Sequence, residues 1–480
     1  MRQRTCAILA LLLLLQFLLC ANLSGKRPFM DEGSYLSSAW LFSKGETPYT
    51  GFILEKPLGI VFTFSALFSA FPASILSARL AMAAVAMLQL LAIFFIAKKF
   101  FDSEPAALAA GFLFAMWSIP FSSYLTSNEP FMALLSSIAL FFMHECLVKK
   151  RSYPALIGFG LPLGLSILFK QTMVVYSAFF AIAFFALCWR WKKQLPSKKE
   201  TALLFFLIAA PAAIMCAYLL LINSFNEFVA TMLFLSSLVE SGSFLVIDAR
   251  SLIAVAAFAF MPVALIGLLA KTRFTEKKEK ELLLLLLWFS VGFVNMFPFR
   301  GCCFHLLPSL PAASLIGGFI AAKAMQKKHG KKLLLFSVVA ILSAAAAAIG
   351  SQMVFSSEAY GFENLATVCK FIEQNSGANE RILVMPAVPE TYFLSKRMPA
   401  ASQMQFFDEY GEQFQQKMIG RIIQNKPVLV VYFSKEKNLQ YTGPHLIDAF
   451  IRENFEETKK IELHPPLYKF FNYAIVLKPK

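Results

Sequence analysis

The sequence predicts an all-α polytopic membrane domain of about eleven transmembrane helices, followed by a small C-terminal α/β domain on the extracytoplasmic side. Hydrophobic residues make up 58% of the 480 residues and charged residues only 15%, which is typical of membrane proteins rather than of soluble ones. Apolar runs of about 17–22 residues recur, the length that a helix needs to cross a bilayer. They lack the alternation of a transmembrane barrel, so each span is expected to be helical.

The predicted spans follow one another up to Val354. They are Cys6–Ala21, Leu76–Ala97, Ala106–Ser122, Pro130–Leu147, Pro154–Phe169, Thr172–Trp189, Thr201–Ile222, Ser251–Ala270, Leu282–Pro298, Phe304–Ala322 and Leu333–Val354. The first could instead be a cleaved signal peptide, because Arg2 and Arg4 precede an apolar stretch. We favour an uncleaved anchor, since no A-x-A cleavage site follows.

One apolar run, Leu58–Phe71, is interpreted as an interfacial or re-entrant segment, because about 14 residues are short for a span. Arg2 and Arg4 place the N-terminus inside, and leaving this run out keeps the later basic loops inside as well. These loops contain KKFFDSE, Lys149-Lys150-Arg151, RWKKQLPSKK, KTRFTEKKEK and KAMQKKHGKK. They account for the net charge of +16, so a nucleic-acid interpretation is unnecessary.

Two segments are expected on the outer side. The first outer loop, residues 22–75, contains EGSYLSSAWLFSKG, which has the spacing of a surface helix with Asp31 at its N-cap. The second is the α/β domain, residues 356–480, which follows the transmembrane domain of residues 1–355. In it the strand-like RILVMPA, PVLVVYF and NYAIVLK alternate with the helix-like EYGEQFQQKMIGRIIQ and HLIDAFIRENFEE. We expect this domain to be structural or to contact an acceptor.

Ionisable and polar residues gather at the outer ends of the predicted spans. They are Asp31, Glu32, Glu55, Lys56, Asn128, Glu129, Lys170, Gln171, Arg300 and His305, with Glu227, Glu240, Asp248 and Arg250 in the loop after the seventh span. Some have simpler explanations. Asp31 could only cap a helix, Lys56 and Lys170 could be snorkelling anchors, and Glu129 could only complement a helix dipole. Cys302 and Cys303 could form a vicinal disulfide, although we expect no special role for them.

Together these residues indicate more than each does alone. Lys56, Lys170, Arg300 and His305 are bases that could hold a phosphate at the membrane surface. A carboxylate beside them could take a proton from an attacking hydroxyl. This combination predicts transfer of a group from a lipid-linked phosphate to an acceptor hydroxyl. No glycine-rich nucleotide-binding loop is evident in the sequence.

Several stretches resemble the GT-C membrane glycosyltransferases, in particular the bacterial protein O-mannosyltransferase-like enzymes and the lipid A aminoarabinose transferases. The stretches are DEGSYLSSAWLFSKGETPY, EKPLG, RLAMAAVAMLQLLAIFFIAKKFF, SNEPFMALL, FKQT and FRGCCFHLLPSLPAASLIGG. The resemblance extends from Met1 to Ala322, and the Asp-Glu pair of the first outer loop is its most specific element.

The resemblance implies roles for residues of this chain. Asp31 would be the general base with Glu32 beside it. Glu129 would be the acid of the second outer loop, a further catalytic residue that could instead orient the acceptor or the sugar. The donor-phosphate-binding residues would be Lys56, Lys170, Arg300 and His305, with Asn128 and Gln171 orienting the substrate. Leu306 follows His305 where relatives often have an aromatic residue, and Leu58 follows Pro57 where many have a second proline.

The resemblance also implies partners and a location. The donor would be a polyprenyl-phosphate-linked sugar, and the acceptor a glycan, lipid A or a protein, with inversion at the sugar carbon. Some relatives bind a divalent metal near the acids, and the sequence leaves a metal undecided. The site and the C-terminal domain would face the periplasm from a bacterial inner membrane, with the site residues sharing one pocket.

Two other classes of protein share some of these sequence features. A transporter or lipid-linked glycan flippase is also polytopic and basic, but it usually places ionisable residues at mid-membrane, where these spans have almost none. An assembly protein that recruits partners through its outer domain is the third interpretation. It predicts that deleting residues 356–480 abolishes function whereas Asp31→Asn does not.

Overall fold

The computed structural model describes residues 3–22, 30–119, 123–149, 151–240, 276–292, 303–325, 361–406, 410–467 and 471–480. The chain divides into two compact units, which are described separately. The first comprises Met1–Leu23, Arg79–Met215 and Ser243–Val354, and the second comprises Ser24–Ala78, Cys216–Gly242 and Phe355–Lys480. The predicted domain boundary near residue 355 falls outside the described residues.

Helices dominate the described part of the chain. In chain order they are α1 (Gln3–Asn22), α2 (Met30–Ser43), α3 (Gly59–Ala70), α4 (Ile75–Phe101), α5 (Glu104–Ser118), α6 (Glu129–Val148), α7 (Tyr153–Ile167), α8 (Thr172–Leu187), α9 (Lys198–Leu221), α10 (Phe225–Glu240), α11 (Glu276–Gly292), α12 (Leu310–Met325), α13 (Gly361–Asn375), α14 (Glu390–Ser395), α15 (Glu412–Asn425) and α16 (His445–Asn454). A π-helical turn, Cys188–Lys192, extends α8, and a 3-10 helix, Cys303–Ser309, precedes α12.

Five of the described helices are long and apolar enough to cross a membrane. They are Gln3–Ala21, Ile75–Phe101, Glu129–Val148, Thr172–Lys192 and Lys198–Leu221. Shorter apolar helices cover Gly59–Ala70, Tyr153–Ile167 and Leu307–Ala322. The prediction of an integral membrane protein built from apolar helices is therefore confirmed. The predicted spans Ser251–Ala270 and Leu333–Val354, and the end of Leu282–Pro298, lie outside the described residues, so the count of about eleven stays a prediction.

Capping residues set the starts of two of these helices. Ser103 and Ser152 each lie in extended backbone before α5 and α7, and their hydroxyls accept the backbone N–H groups of Ala106 and Ala155. A proline follows within the first two helical positions of each, where its missing N–H would be unpaired in any case. The apolar run interpreted as interfacial, Leu58–Phe71, forms the 12-residue helix α3, which is too short to be counted among the spans.

In the first unit, helices are joined by close backbone approach and by buried polar contacts. A Cβ atom on Gly318 of α12 would lie 2.6 Å from the backbone nitrogen of Ala110 in α5, so a glycine is required there. The indole nitrogen of Trp288 in α11 donates to the hydroxyl of Tyr176 in α8 at 2.6 Å. Such interhelical hydrogen bonds are favourable in an apolar medium, where an unpaired polar group is costly.

The second unit contains a five-stranded sheet in the order β2-β1-β3-β5-β4. Its strands are β1 (Arg381–Met385), β2 (Met398–Pro399), β3 (Leu429–Ser434), β4 (Phe455–Leu467) and β5 (Phe471–Pro479). β1 runs parallel to β2 and β3, with Ile382 paired to Leu429, and β5 lies antiparallel between β3 and β4. All six residues of β3 are buried, as expected for a central strand. The predicted small C-terminal α/β domain is thus confirmed.

The first outer loop is part of the same unit. The Ser37 hydroxyl of α2 donates to the carbonyl of Pro389 at 2.8 Å, and a Cβ atom on Gly33 would lie 2.8 Å from the Cβ of Glu390 in α14. The Lys396 ammonium donates to the carbonyl of Ala73 at 2.8 Å. The C-terminal domain therefore contacts this loop both at α2 and at Ala73.

Three local predictions were wrong. The segment after the seventh span, expected as a loop, forms helix α10, in which Glu227 lies in the first turn and pairs with Lys417 at 2.7 Å. The predicted helix HLIDAFIRENFEE ends at Asn454, because Phe455 begins β4. Asp31 is not the N-cap of α2, because that helix already includes Met30.

Candidate functional site

Three charged or polar side chains from distant parts of the sequence meet in the first unit. The ammonium of Lys170 lies 2.9 Å from Oε1 of Glu129 and 3.1 Å from Nδ1 of His305. Nδ1 of His305 lies 3.1 Å from the same Glu129 oxygen, which closes a triangle of contacts. Glu129 is 3% exposed and Lys170 8% exposed, whereas the His305 side chain is 20% exposed. We call Glu129, Lys170 and His305 the buried charge cluster.

Helix ends position each member of this cluster. Glu129 opens α6, where the backbone dipole favours a carboxylate. Lys170 lies in the short connection between α7 and α8. His305 belongs to the 3-10 helix before α12, which packs against α6. The ring of Phe131 in α6 stacks on the ring of Phe169, next to Lys170, with centroids 4.8 Å apart. This contact links α6 to the connection between α7 and α8.

Burial makes the cluster energetically demanding. Removing two charges from water is expensive, and their mutual attraction repays the cost only with good geometry and further hydrogen bonds. Here one carboxylate oxygen of Glu129 contacts both the Lys170 ammonium and Nδ1 of His305, so the ion pair of Glu129 with Lys170 has a further hydrogen-bonding partner. A carboxylate held this way is a weak proton acceptor, whereas an ammonium and an imidazole at the end of a helix can attract an anion.

Two predicted orienting residues flank the cluster. Asn128 immediately precedes α6 and is 1% exposed, and its Oδ1 has no hydrogen-bond partner among the residues that the structure describes. A buried amide oxygen without a partner is uncommon and is suited to accept a ligand hydroxyl or a water. Gln171 is half-buried and lies directly before the first residue of α8.

The second unit holds the predicted acids of the first outer loop. Asp31 and Glu32 both lie in the first turn of α2, where Asp31 is exposed and Glu32 is 1% exposed. Only Asp31 therefore has the solvent access that a base needs to reach an incoming hydroxyl.

The predicted phosphate-binding Lys56 lies in the connection between α2 and α3 and is half-buried. Its carbonyl accepts the hydroxyl of Tyr49 at 2.7 Å. The neighbouring Glu55 carboxylate accepts a long contact of 3.5 Å from the hydroxyl of Tyr410 in the C-terminal domain. Tyr49 was not among the residues selected from the sequence, where only the turn-forming Pro48 and Gly51 around it gave a signal.

Other predicted residues are not placed by the structure. Arg300, Asp248 and Arg250 lie outside the described residues, as does Cys302. Within the part of the chain that the structure describes, no group of three or more His, Cys, Asp or Glu side chains is arranged to hold a metal ion.

Comparison with known proteins agrees with the fold. A family model described as dolichyl-phosphate-mannose-protein mannosyltransferase matches residues 55–214. No curated protein sequence matches the chain. The structure of ArnT from Cupriavidus metallidurans bound to undecaprenyl phosphate is similar with a TM-score of 0.66 and 14% sequence identity, covering 98% of this chain and 97% of that one.

Two structures from Archaeoglobus fulgidus are also similar. Its oligosaccharyltransferase in the apo form gives a TM-score of 0.58 at 13% identity, covering 89% of this chain and 69% of that one. The oligosaccharyltransferase AglB in complex with an inhibitory peptide and a dolichol-phosphate gives 0.55 at 12% identity, with coverages of 90% and 69%. These matches confirm the resemblance read from the sequence: the chain has the fold of the GT-C membrane glycosyltransferases.

Proposed function

We propose that this protein transfers a sugar from a polyprenyl-phosphate donor to an acceptor hydroxyl on the extracytoplasmic side of the membrane. The observation that carries the proposal is the buried charge cluster, in which an ammonium and an imidazole are fixed at helix ends of a membrane-type helical unit. The match to a mannosyltransferase family model over residues 55–214, which begins at Glu55-Lys56, supports it. So do the solved relatives that hold undecaprenyl phosphate or dolichol-phosphate.

The reaction is a single inverting displacement. The acceptor oxygen forms a bond to the anomeric carbon as the bond from that carbon to the phosphate oxygen breaks. The electron pair of the broken bond leaves with the phosphate, whose charge increases from one to two, and the acceptor proton passes to a base. A phosphate leaves without being protonated, so no second carboxylic acid is required, in contrast to a glycosidase pair.

The residues of this chain take distinct roles in that step. Asp31, exposed in the first turn of α2, is the base. Lys56, Lys170, His305 and Arg300 stabilise the phosphate as its charge grows. Glu129 keeps Lys170 and His305 in place rather than accepting the proton, because its carboxylate is already engaged by both. Asn128 and Gln171 orient the substrate.

The test separates binding from chemistry. Undecaprenyl phosphate serves as a probe that is independent of the sugar, and its binding is measured on purified protein in detergent. We expect Lys170→Met to weaken binding about tenfold or more, since a contact to a charged group contributes about 1.5–3 kcal/mol. Asp31→Asn should bind the probe normally and lose transfer of a sugar supplied on polyprenyl phosphate.

The controls come from the same chain. Lys417→Met removes an exposed lysine that also pairs with a glutamate, at 2.7 Å, and should bind the probe as the wild type does. The double variant Glu129→Gln with Lys170→Met avoids leaving a buried carboxylate unpaired and should still bind weakly. Normal probe binding by this double variant, or transfer at the wild-type rate by Asp31→Asn, would contradict the assigned roles.

A further inference from the structure

Tyr49 has an unusual backbone conformation. Its φ is +63°, in the left-handed region that bulky residues avoid, and the side chain is only 1% exposed. A strained conformation persists only where the surrounding structure over-determines it, and such positions concentrate at functional sites. Tyr49 lies in the connection that leads to Lys56, so its conformation decides how that connection turns.

The left-handed conformation of Tyr49 is accompanied by two contacts of its side chain. Its hydroxyl donates to the carbonyl of Lys56 at 2.7 Å, and its ring packs against Phe228 of α10 with centroids 5.2 Å apart. The hydroxyl and the ring are therefore both held, one by the lysine backbone and the other by a helix of the same unit. Burial raises the pKa of the Tyr49 hydroxyl well above its ordinary value.

The C-terminal domain restrains the same connection from its other side. The backbone N–H of Ile53 donates to the carbonyl of Ser402 at 2.7 Å, and Arg381 forms an ion pair of 2.6 Å with Glu46. These two contacts restrain the connection on the N-terminal side of Lys56, and the Tyr49 hydroxyl holds the Lys56 carbonyl itself. The long lysine side chain loses less freedom on binding an anion when its backbone is already fixed.

We propose that Tyr49 is a positioning residue for Lys56, acting through the hydrogen bond to the Lys56 carbonyl. The inference rests on the proposed function, in which Lys56 holds the donor phosphate. In this proposal Tyr49, which is 1% exposed, acts through Lys56 and not by direct contact with donor or acceptor. It determines how well Lys56 is placed for the phosphate, so its contribution depends on the lysine being present.

A double-mutant cycle on undecaprenyl phosphate binding tests this dependence, with Tyr49→Phe, Lys56→Met and the double variant in detergent. Tyr49→Phe keeps the ring packing and removes only the hydroxyl. We expect it to weaken binding about three- to tenfold, as one hydrogen bond would. In the Lys56→Met background the same substitution should change binding less than twofold.

Tyr392→Phe is the matched control. Tyr392 is fully buried in the same unit, and its hydroxyl accepts the backbone N–H of Val384 at 2.9 Å. This variant also loses a buried hydroxyl contact, but we expect its probe binding to stay within twofold of the wild type. A merely structural effect of Tyr49→Phe would appear equally in Tyr392→Phe and in both Lys56 backgrounds.

The outcomes separate the two proposals. If Lys56→Met weakens binding and Tyr49→Phe does not, or if Tyr49→Phe weakens binding equally in both backgrounds, the inference about Tyr49 is overturned and the proposed function stands. If Lys56→Met binds the probe as the wild type does, the role of Lys56 in the proposed function is wrong and the inference falls with it.

Discussion

The ion pair between Glu129 and Lys170 should contribute a large coupling energy to folding. Their charged atoms lie 2.9 Å apart, and their side chains are 4% and 10% exposed. At an effective dielectric constant of about 20, two unit charges at this separation attract by about 6 kcal/mol. Desolvation offsets part of this attraction, and His305 gives each partner a substitute when the other is removed. We expect a coupling energy of about 2–4 kcal/mol.

The perturbation is a cycle of Glu129→Gln, Lys170→Met and the double variant. Each single variant leaves one buried charge without its main partner and should lose about 3–5 kcal/mol of unfolding free energy. The double variant should be more stable than the sum of the two losses predicts. Reversible unfolding in mixed detergent micelles, followed by circular dichroism, gives the four free energies.

The exposed pair of Lys417 with Glu227 calibrates the measurement. Their ammonium and carboxylate lie 2.7 Å apart, but the side chains are 42% and 35% exposed, so solvent screens the attraction. A cycle on this pair should give a coupling below about 1 kcal/mol. Equal couplings for the two pairs, or strict additivity at Glu129 and Lys170, would refute the argument that burial makes this interaction strong.

Two further predictions concern packing and pH. Gly318→Val should lower the unfolding free energy by about 1–3 kcal/mol, because its Cβ would lie 2.6 Å from the backbone nitrogen of Ala110. Gly420 lies on a helix with open space around its Cβ position, so Gly420→Ala should raise the unfolding free energy by about 0.5–1 kcal/mol. Thermal unfolding in detergent measures both changes. Burial, reinforced by repulsion from Lys44, lowers the pKa of Lys396 from 10.5 to about 8. Between pH 8 and 10.5 the unfolded chain keeps this proton and the folded chain loses it, so wild-type stability should rise relative to Lys396→Met by at most about 3 kcal/mol. A stability difference between wild type and Lys396→Met that stays constant across this pH range would contradict the lowered pKa. Lys44→Met removes a repelling charge and should move the rise in stability to higher pH.

The sequence predicted the helices best where a cap or a long apolar run defined them. Ser103 and Ser152, each followed by a proline after one or two positions, begin α5 and α7 within a few residues of the expected starts. Prediction from the sequence failed where contacts between distant parts of the chain determine the secondary structure. The residues of β4 are mostly polar and its prolines disfavour a strand, so its pairing with β5 was not visible.

The same distinction applies to the candidate site. Glu129, Lys170 and His305 were identified because they are ionisable residues at the ends of apolar runs, where charges are costly unless they function. Their contact with one another depends on how three helices pack, which periodicity does not encode. Tyr49 itself gave no signal beyond the turn residues around it, because its left-handed conformation is imposed on a tyrosine by its surroundings rather than favoured by a glycine or asparagine.

The three carboxylates proposed for the site are distinguished by their surroundings rather than by their chemistry. Glu129 is buried and engaged by two partners that carry or can carry a positive charge, which stabilises its ionised form and makes it a poor base. Glu32 is only 1% exposed, so an incoming hydroxyl has little access to it. Asp31, next to it in the same helical turn, is exposed. A general base must reach the proton that it accepts, so exposure favours Asp31 for proton transfer. In the proposed function, the charge of Glu129 instead holds Lys170 and His305 in place for the phosphate.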